Sequence, residues 1–556
     1  MSFGDWFLGF GYSIHYNGFT YYSPCNCVKI MIIEKICTGE PRMSGPRDYR
    51  IIYNWDGAPH GYSEVPQSME DFLEKVYAPL VDTQVGALFW CIGEHAARWP
   101  SEVLEQLAEA NQRTYENAYS YIHTENIRQM VERGEDPQEA LVERGHELGL
   151  HVYASVRMND NHFHGAQVED LEKMHHIEMT ARRRAHPEWL LGDRTSEWFA
   201  LSWDFSVPEI RAHRYAHIEE VCSRYDWDGV ELDWQRHAFH FDEDEAYRLR
   251  YVLTDLQRRV RAMTTELAKK RGRPFYLAAR VAGSLEMCRR IGYDIPVWIE
   301  EGLVDILIPA GGAATDPSID VSEFKALCSG TDVLVCPGFD GGLPDAHVGP
   351  EDPEQKNRMR TRAISTRYHN AGADGIYTFN WHAGRSNRRE LLSQIGSLDT
   401  LQNTDKIYAA THRFIQKEGE WRGAYRIDRI YGDVPVRLKP TSTEIGPVIA
   451  LDLGDEGVPR LARLRVRLAE WVYGDVVKLK WDGKALPELE MKYCTVSDPH
   501  GISDVSGAVW LSKALESNHI GQGSHSLEIV LVERSPKMVC DIVVTDVELV
   551  ILHEDL

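Results

Sequence analysis

The chain has no apolar run approaching the roughly 18 residues that a membrane-spanning helix needs, so no membrane partner is expected. It also has no excess of basic residues. Its 61 Lys and Arg stand against 85 Asp and Glu, a net charge of −24, which argues against nucleic acid as a partner. The 10 cysteines lack metal-ligand spacing. Cys25 and Cys27 are too close for a finger-type pair, and Cys91 and Cys336 fall in apolar, strand-like runs. Buried free thiols in a reducing compartment are the expectation. The N-terminus has neither the basic start nor the clean apolar stretch of a secretory signal, so a cytoplasmic location is expected. No Gly-rich phosphate fingerprint follows the first strand, which argues against an open dinucleotide-binding sheet. No cofactor is implied, and nothing in the chain specifies an oligomeric state.

What is present is a long, regular rhythm. With 556 residues the chain is too long for one core. Residues 1–46 are aromatic, Cys-rich and without pattern, and read as an extension, with Met43 as an alternative working start. From residue 47 to 400, apolar strands alternate with helical segments: 50–57, 85–93, 151–158, 229–233, 275–281, 304–309, 332–340 and 375–382. Between them lie helices near 68–77, 101–148, 208–224, 242–271 and 353–371. Continuous apolar strands separated by helices indicate a parallel sheet covered on both faces. Eight such units predict a (β/α)8 TIM barrel with loop insertions. Residues 401–422 read as a linker or helix. From 423 to 556 short runs alternate with period two, as in Leu461–Leu468 and Val476–Trp481, and predict an antiparallel β-sandwich.

The stretch from Tyr225 to His237 carries the chemistry. Side chains alternate along a strand, so Val230 and Leu232 face one way and Glu231 and Asp233 the other. Carboxylates are rarely buried unless paired or used. In a parallel barrel both would point inward near the C-terminal mouth, where such folds keep their active sites. Asp233 is the expected nucleophile or base, and Glu231 its partner or a charge-tuning group paired with Arg157 or Arg280. A second carboxyl must come from another strand end: Asp56, Glu94, Asp160, Asp316 or Asp340, with Asp340 and Asp160 preferred as catalytic candidates. Asn159, His162 and His237 suit hydroxyl recognition. Trp55, Trp90, Asn380, Trp381 and His382 are expected to contact substrate, together with Arg157 and Arg280. The 15 Trp and 25 Tyr suit sugar faces, which pack C–H groups on aromatic rings.

Three segments, His186–Leu190, Asp204–Arg211 and Tyr225–Trp234, resemble the run found in the family-10-like glycoside hydrolase group. These are barrel proteins linked to, and distinct from, true family-10 xylanases. The resemblance spans about residues 47–400 and implies a barrel acting on a carbohydrate substrate, with the fourth-strand aspartate central. The segment Asp228–His237 is also similar to the fourth-strand motif of the α-amylase superfamily, where the residue matching Asp233 is the nucleophile, although Glu231 stands where those enzymes have Arg. It looks like the family-eighteen chitinase signature too, but the terminal acid of that signature falls on Gln235, which cannot donate a proton. The expected function is therefore hydrolysis of an oligo- or polysaccharide by carboxylate catalysis.

Two alternatives differ in class. His162, His164, Asp160, Glu231, Asp233, His237 and His240 could serve a metal-dependent barrel hydrolase or isomerase. Alternatively, Gln235 marks a barrel that binds glycan without cleaving it.

Overall fold

The computed structural model describes residues 15, 16, 19 and 20, and then 49–553 apart from 57–65, 94, 164, 196–198, 312–314, 316, 318, 341–351, 385, 412–432, 442–444 and 498–502. Two units are distinguished, Met1–Ser44 and Gly45–Leu556. In the first, His15–Tyr16 pairs antiparallel with Phe19–Thr20.

The second unit is built on an all-parallel sheet of nine strands. They are β1 (Ile51–Trp55), β2 (Val85–Cys91), β3 (His151–Arg157), β4 (Gly229–Asp233), β5 (Tyr276–Ala282), β6 (Ile306–Ala310), β7 (Leu334–Val335), β8 (Gly338–Asp340) and β9 (Ile376–Phe379). The order across the sheet is β8-β9-β1-β2-β3-β4-β5-β6-β7, so the sheet curls as in a TIM-type fold. The sequence pattern predicts eight strands. The ninth arises because Pro337 has no N–H and interrupts the ladder between β7 and β8.

Helices cover the outer face. They are α1 (Met69–Tyr77), α2 (Ala118–Glu132), α3 (Pro137–Glu147), α4 (Ala181–Ala185), α5 (Pro208–Arg224), α6 (Ala246–Arg271), α7 (Leu285–Arg290), α8 (Ile295–Glu300), α9 (Val321–Leu327) and α10 (Pro353–Asn370). Local chemistry sets their starts. Ser68 accepts from the Asp71 N–H ahead of α1, and Asp352 caps α10, whose first residue is Pro353. The single helix expected over 101–148 is broken. Asp136 accepts from the N–H groups of Gln138 and Glu139 and starts α3 afresh at Pro137, and the chain before Ala118 is mostly turn.

Period two sorts the strands into two cores. Ile51, Trp90, Val156, Val230 and Leu232 join the outer core with the helices. Ile52, Phe89, Tyr153, Ala278, Ile308, Tyr377 and Phe379 fill the inside of the curl. Across β3, β4 and β5 the register lines up three rows: Tyr153, Gly229 and Tyr276; Ser155, Glu231 and Ala278; Arg157, Asp233 and Arg280. Gly229 is required by packing. A Cβ there would sit 2.4 Å from both the Tyr153 ring and the Tyr276 carbonyl oxygen.

The C-terminal part consists of two antiparallel sheets. Its strands are β10 (Lys406–Ala409), β11 (Val436–Leu438), β12 (Val448–Leu453), β13 (Leu461–Ala469), β14 (Val476–Trp481), β15 (Lys484–Ala485), β16 (Glu490–Ser497), β17 (Ser503–Leu515), β18 (Gly523–Glu533) and β19 (Ile542–Leu552). One sheet runs β10-β19-β13-β17-β16 with β11 on β19, and the other runs β12-β18-β14-β15. Leu464, Val466 and Leu549 of the first share a core with Ile449, Leu479 and Ile529 of the second. Residues 406–409, expected within a linker or helix, instead form β10 on β19. On the barrel side of this module, Lys356 of α10 and Arg465 of β13 both reach Glu548, at 2.7 and 2.5 Å, all three buried. Cys91, Cys222, Cys288, Cys328 and Cys540 are free thiols. Among the described residues no helix is long and apolar enough to cross a membrane.

Candidate active site

The top row of the inner face places Asp233 between two arginines. Its carboxylate accepts from Arg280 Nη1 at 2.9 and 3.1 Å, and from the N–H groups of Gln235 and Arg236 at 3.1 and 2.9 Å. Asp233 is 0 % exposed, so it is held as a saturated, buried anion rather than presented at the opening. Arg280 also donates to the Gly311 carbonyl, and lies over the Phe379 ring at 4.2 Å.

Glu231, one row deeper and equally buried, does not take the expected pairing with Arg157 or Arg280. It accepts from Asn54 Nδ2 at 3.0 Å and from the Ser155 hydroxyl at 2.5 Å, with the Tyr377 phenol alongside. Burial, with the neighbouring Asp233 charge behind it, pushes its carboxyl up to about 7. The row therefore holds one carboxylate paired with Arg280 and one carboxyl poised near neutrality.

Arg157 turns to the other side. It pairs with Asp56, at the end of β1, and through Nη1 with Asp160 at 2.9 Å. A guanidinium that bridges two carboxylates holds them within roughly 7 Å of each other. Asp160 is buried and ringed by cationic and imidazole groups: His162 Nε2 at 3.3 Å, His237 Nδ1, and Arg236 Nε at 3.6 Å. Burial alone would raise its carboxyl. His162, His237 and Arg236 outweigh that and hold it well below the usual range. Asp56 differs in exposure, with 27 % of its side chain open to solvent. The Asn380 amide, turned with its nitrogen toward Asp56, donates to both carboxylate oxygens at 2.7 and 2.8 Å. His162 is also open, 25 % exposed, and its Nδ1 lies 2.8 Å from Glu178, which Arg98 holds at 3.3 Å.

Left-handed backbone also occurs here, as it does at eight other described non-glycine residues. His237, Asn380 and His382 have φ of 57°, 48° and 50°, left-handed values that non-glycine residues adopt only when their surroundings impose them. They come from the loop after β4 and from the end of β9, on either side of the opening.

The remaining expected contacts separate clearly. Trp90 is fully buried on the helix side, edge-on to Phe72 of α1, and does not reach the mouth. Trp381 is buried too, donating to the Arg388 carbonyl at 3.0 Å. Asn159 is locked into the backbone of the excursion, exchanging bonds with Trp203 and donating to the Phe239 carbonyl. Trp55 stacks on Tyr53 and meets His382 edge-on at 6.0 Å, so only its rim nears the site. Glu94, Asp316, His164 and the Asp340 side chain lie outside the described residues, although the Asp340 backbone ends β8. His240, counted among possible metal ligands, turns away into Phe205, Trp234 and Tyr293. Among the described residues no three His, Cys, Asp or Glu side chains are arranged to hold a metal ion.

No family model matches the chain. No curated protein matches it either. Among solved structures, the chain is similar to an α-amylase from Geobacillus thermoleovorans complexed with acarbose: 10% identity, 88% of this chain, 100% of that one and a TM-score of 0.37. It is similar to a Paenibacillus cycloisomaltooligosaccharide glucanotransferase at 11% identity, covering 90% of this chain and 58% of that one, TM-score 0.32. It is similar also to an α-L-fucosidase from Paenibacillus thiaminolyticus at 14% identity, covering 62% and 48%, TM-score 0.36. The chain thus spans about half the length of the last two. These proteins are glycoside-processing enzymes, and the likeness is not specifically to the family-10-like group.

Residues absent from the sequence expectations complete the site. Asn54 and Ser155 lie on the inner faces of β1 and β3, and the period-two argument applied to β4 would have found them. Arg98, Glu178 and His95 sit in excursions without periodicity, where no local signal points to them.

Proposed function

We propose that the protein is a glycoside hydrolase acting at the C-terminal mouth of its barrel on a neutral oligo- or polysaccharide. The observation that carries this reading is the Asp56–Arg157–Asp160 bridge. One carboxylate is open to solvent, a second is held ionised behind it, and the guanidinium between them keeps the two close together. In this reading β7 and β8 act as one seventh strand bent at Pro337. The Cys336 N–H donates to the Leu307 carbonyl and the Tyr377 N–H to the Pro337 carbonyl, which supports treating the two short strands as one.

Asp56 is the group that meets the substrate, as nucleophile or as base for water. Arg157 and Asn380 orient it, as expected for a carboxylate that must present one oxygen to the anomeric carbon. The ionised Asp160 stabilises the positive charge that develops on the sugar ring. Asp340 supplies the acid from across the opening. Its strand lies two places from that of Asp56, about 10 Å by strand spacing. Asp233 and Glu231 act beneath them as positioning groups, the first through Arg280.

The test is a panel of defined neutral oligosaccharides followed by release of reducing ends. Wild type is expected to cleave at least one, and Asp56→Asn and Asp340→Asn are expected to lose about 10²–10⁴-fold. Wild-type rates in Asp56→Asn would refute the assignment. A second reading, a barrel that binds glycan without turnover, is favoured by the complete burial of Asp233 behind Arg280. Sugar binding in the absence of any cleavage would establish it.

A further inference from the structure

A cavity of about 380 Å³ is lined by residues from the chain that follows β2 and β3. Its volume falls at the lower end of the range for small-molecule sites, about 300–1,000 Å³. His95 and Glu105 line it from the chain after β2, Arg182 and His186 from α4 and its end, Trp203 from the excursion, and His213 from α5. Its inner wall is shared with the site. His95 lies 2.9 Å through Nε2 from the Asp160 carbonyl, and its Nδ1 accepts from Trp203 Nε1 at 2.9 Å and from Arg214 at 2.7 Å. Two donors on Nδ1 fix the proton on Nε2, so His95 is a neutral ring that donates to the backbone of the Asp160 loop.

The lining is polar yet balanced. Glu105 accepts from the Ala181 and Arg182 N–H groups at 2.8 and 3.3 Å, and the Arg182 guanidinium supplies the opposite charge. His213 is held neutral, pushed down to about 3 by burial and then by the Arg214 and Arg182 charges. One anion, one cation, the two uncharged imidazoles of His95 and His213, and the His186 ring 3.0 Å from the Glu188 carboxylate leave no large excess of either charge to welcome an ionic ligand. Hydroxyl groups, by contrast, find both donors and acceptors. At the rim, His186 stacks face to face on Trp189 with ring centroids 3.6 Å apart and planes 3° apart. The indole thus backs one face of the imidazole and fixes the orientation of the ring that lines the cavity.

We infer that this cavity is a further subsite for one neutral sugar unit, separated from the reacting mouth by His95. This rests on the glycoside reading above and extends it, because it gives the substrate a second point of recognition.

Calorimetric titration tests it, with maltose, cellobiose and lactose as neutral probes and glucosamine and glucuronate as charged ones. The proteins are wild type, Asp56→Asn, His213→Ala and Arg182→Ala, with melting temperatures measured for each. The expected result is that a neutral probe binds wild type and Asp56→Asn alike and binds both cavity variants at least about tenfold more weakly, while the charged probes do not bind. Arg182 is exposed, so its variant keeps the test decisive should His213→Ala melt early. The inference is overturned if no neutral probe binds wild type, or if affinity is unchanged in both cavity variants. It is equally overturned if binding disappears in Asp56→Asn alone, which would put the sugar at the mouth. Absence of turnover with binding of this pattern would refute the hydrolase and leave the subsite standing.

Discussion

Replacing Glu231 by glutamine isolates a carboxyl of the interior whose titration the fold shifts upward. The amide keeps the shape and still accepts from Asn54 and Ser155, but it cannot ionise. In the unfolded chain Glu231 titrates near its ordinary value of 4.5, and in the fold burial and Asp233 push it up to about 7. Between those values the folded protein binds a proton that the unfolded chain has released. The stability from this group is therefore complete below the unfolded value and declines as pH rises through the folded one. A difference of this size corresponds to about 3 kcal/mol in total, of which roughly three quarters falls between pH 5 and 8. Urea unfolding of wild type and Glu231→Gln, followed by tryptophan fluorescence across that range, reads the difference directly. Relative to the variant, wild type is expected to lose about 2–3 kcal/mol from pH 5 to 8. A difference that stays constant with pH, or grows in the opposite direction, would refute the argument that Glu231 is buried beside a fixed anion.

Other perturbations test other parts. Arg280→Met leaves Asp233 buried without its cation and should cost about 3–5 kcal/mol in unfolding. Combining Arg280→Met with Asp233→Asn should cost less than Arg280→Met alone; equal costs would mean that the pair is not coupled. Gly229→Ala forces a methyl against the Tyr276 carbonyl, so at least about 1–3 kcal/mol should be lost, and an unchanged melting temperature would contradict the row packing. Trp90→Ala should cost about 3–5 kcal/mol without altering KM, whereas a raised KM at full stability would return Trp90 to the substrate. Exhaustive dialysis against a chelator should leave turnover unchanged; loss restored by one divalent cation would favour the metal-dependent alternative.

The curled sheet is legible because parallel strands covered on both faces are written as apolar runs, as in Val85–Cys91 and Tyr276–Ala282. The seventh strand is legible as a run but not as a single ladder, because Pro337 breaks the hydrogen bonding and leaves the apolar pattern intact. In the sandwich, β12 escapes the sequence pattern although its burial alternates along every residue. Its outward residues are Val448, Ala450 and Asp452, so two of the three are apolar and the polar half of the alternation is missing from the sequence. At the site, alternation correctly turns Glu231 and Asp233 inward, but it does not say which would reach solvent. That depends on where Arg157 and Arg280 send their guanidinium groups, a choice made by partners far away in the chain. Trp90 shows the same limit from the other direction: an aromatic near a strand end faces the helices or the mouth according to register alone.

The ionic contact between α10 and the trailing sheets bears on how the molecule can be divided. Lys356, Arg360, Arg465 and Glu548 are each at most 5 % exposed, and Trp510 lies against both Lys356 and Arg465. Cutting the chain after the last barrel strand would strand the cations of α10 on a bared surface and deprive Glu548 of one of its two partners. The barrel and the sandwich should therefore melt in a single step, and neither half is a sound reagent without the other.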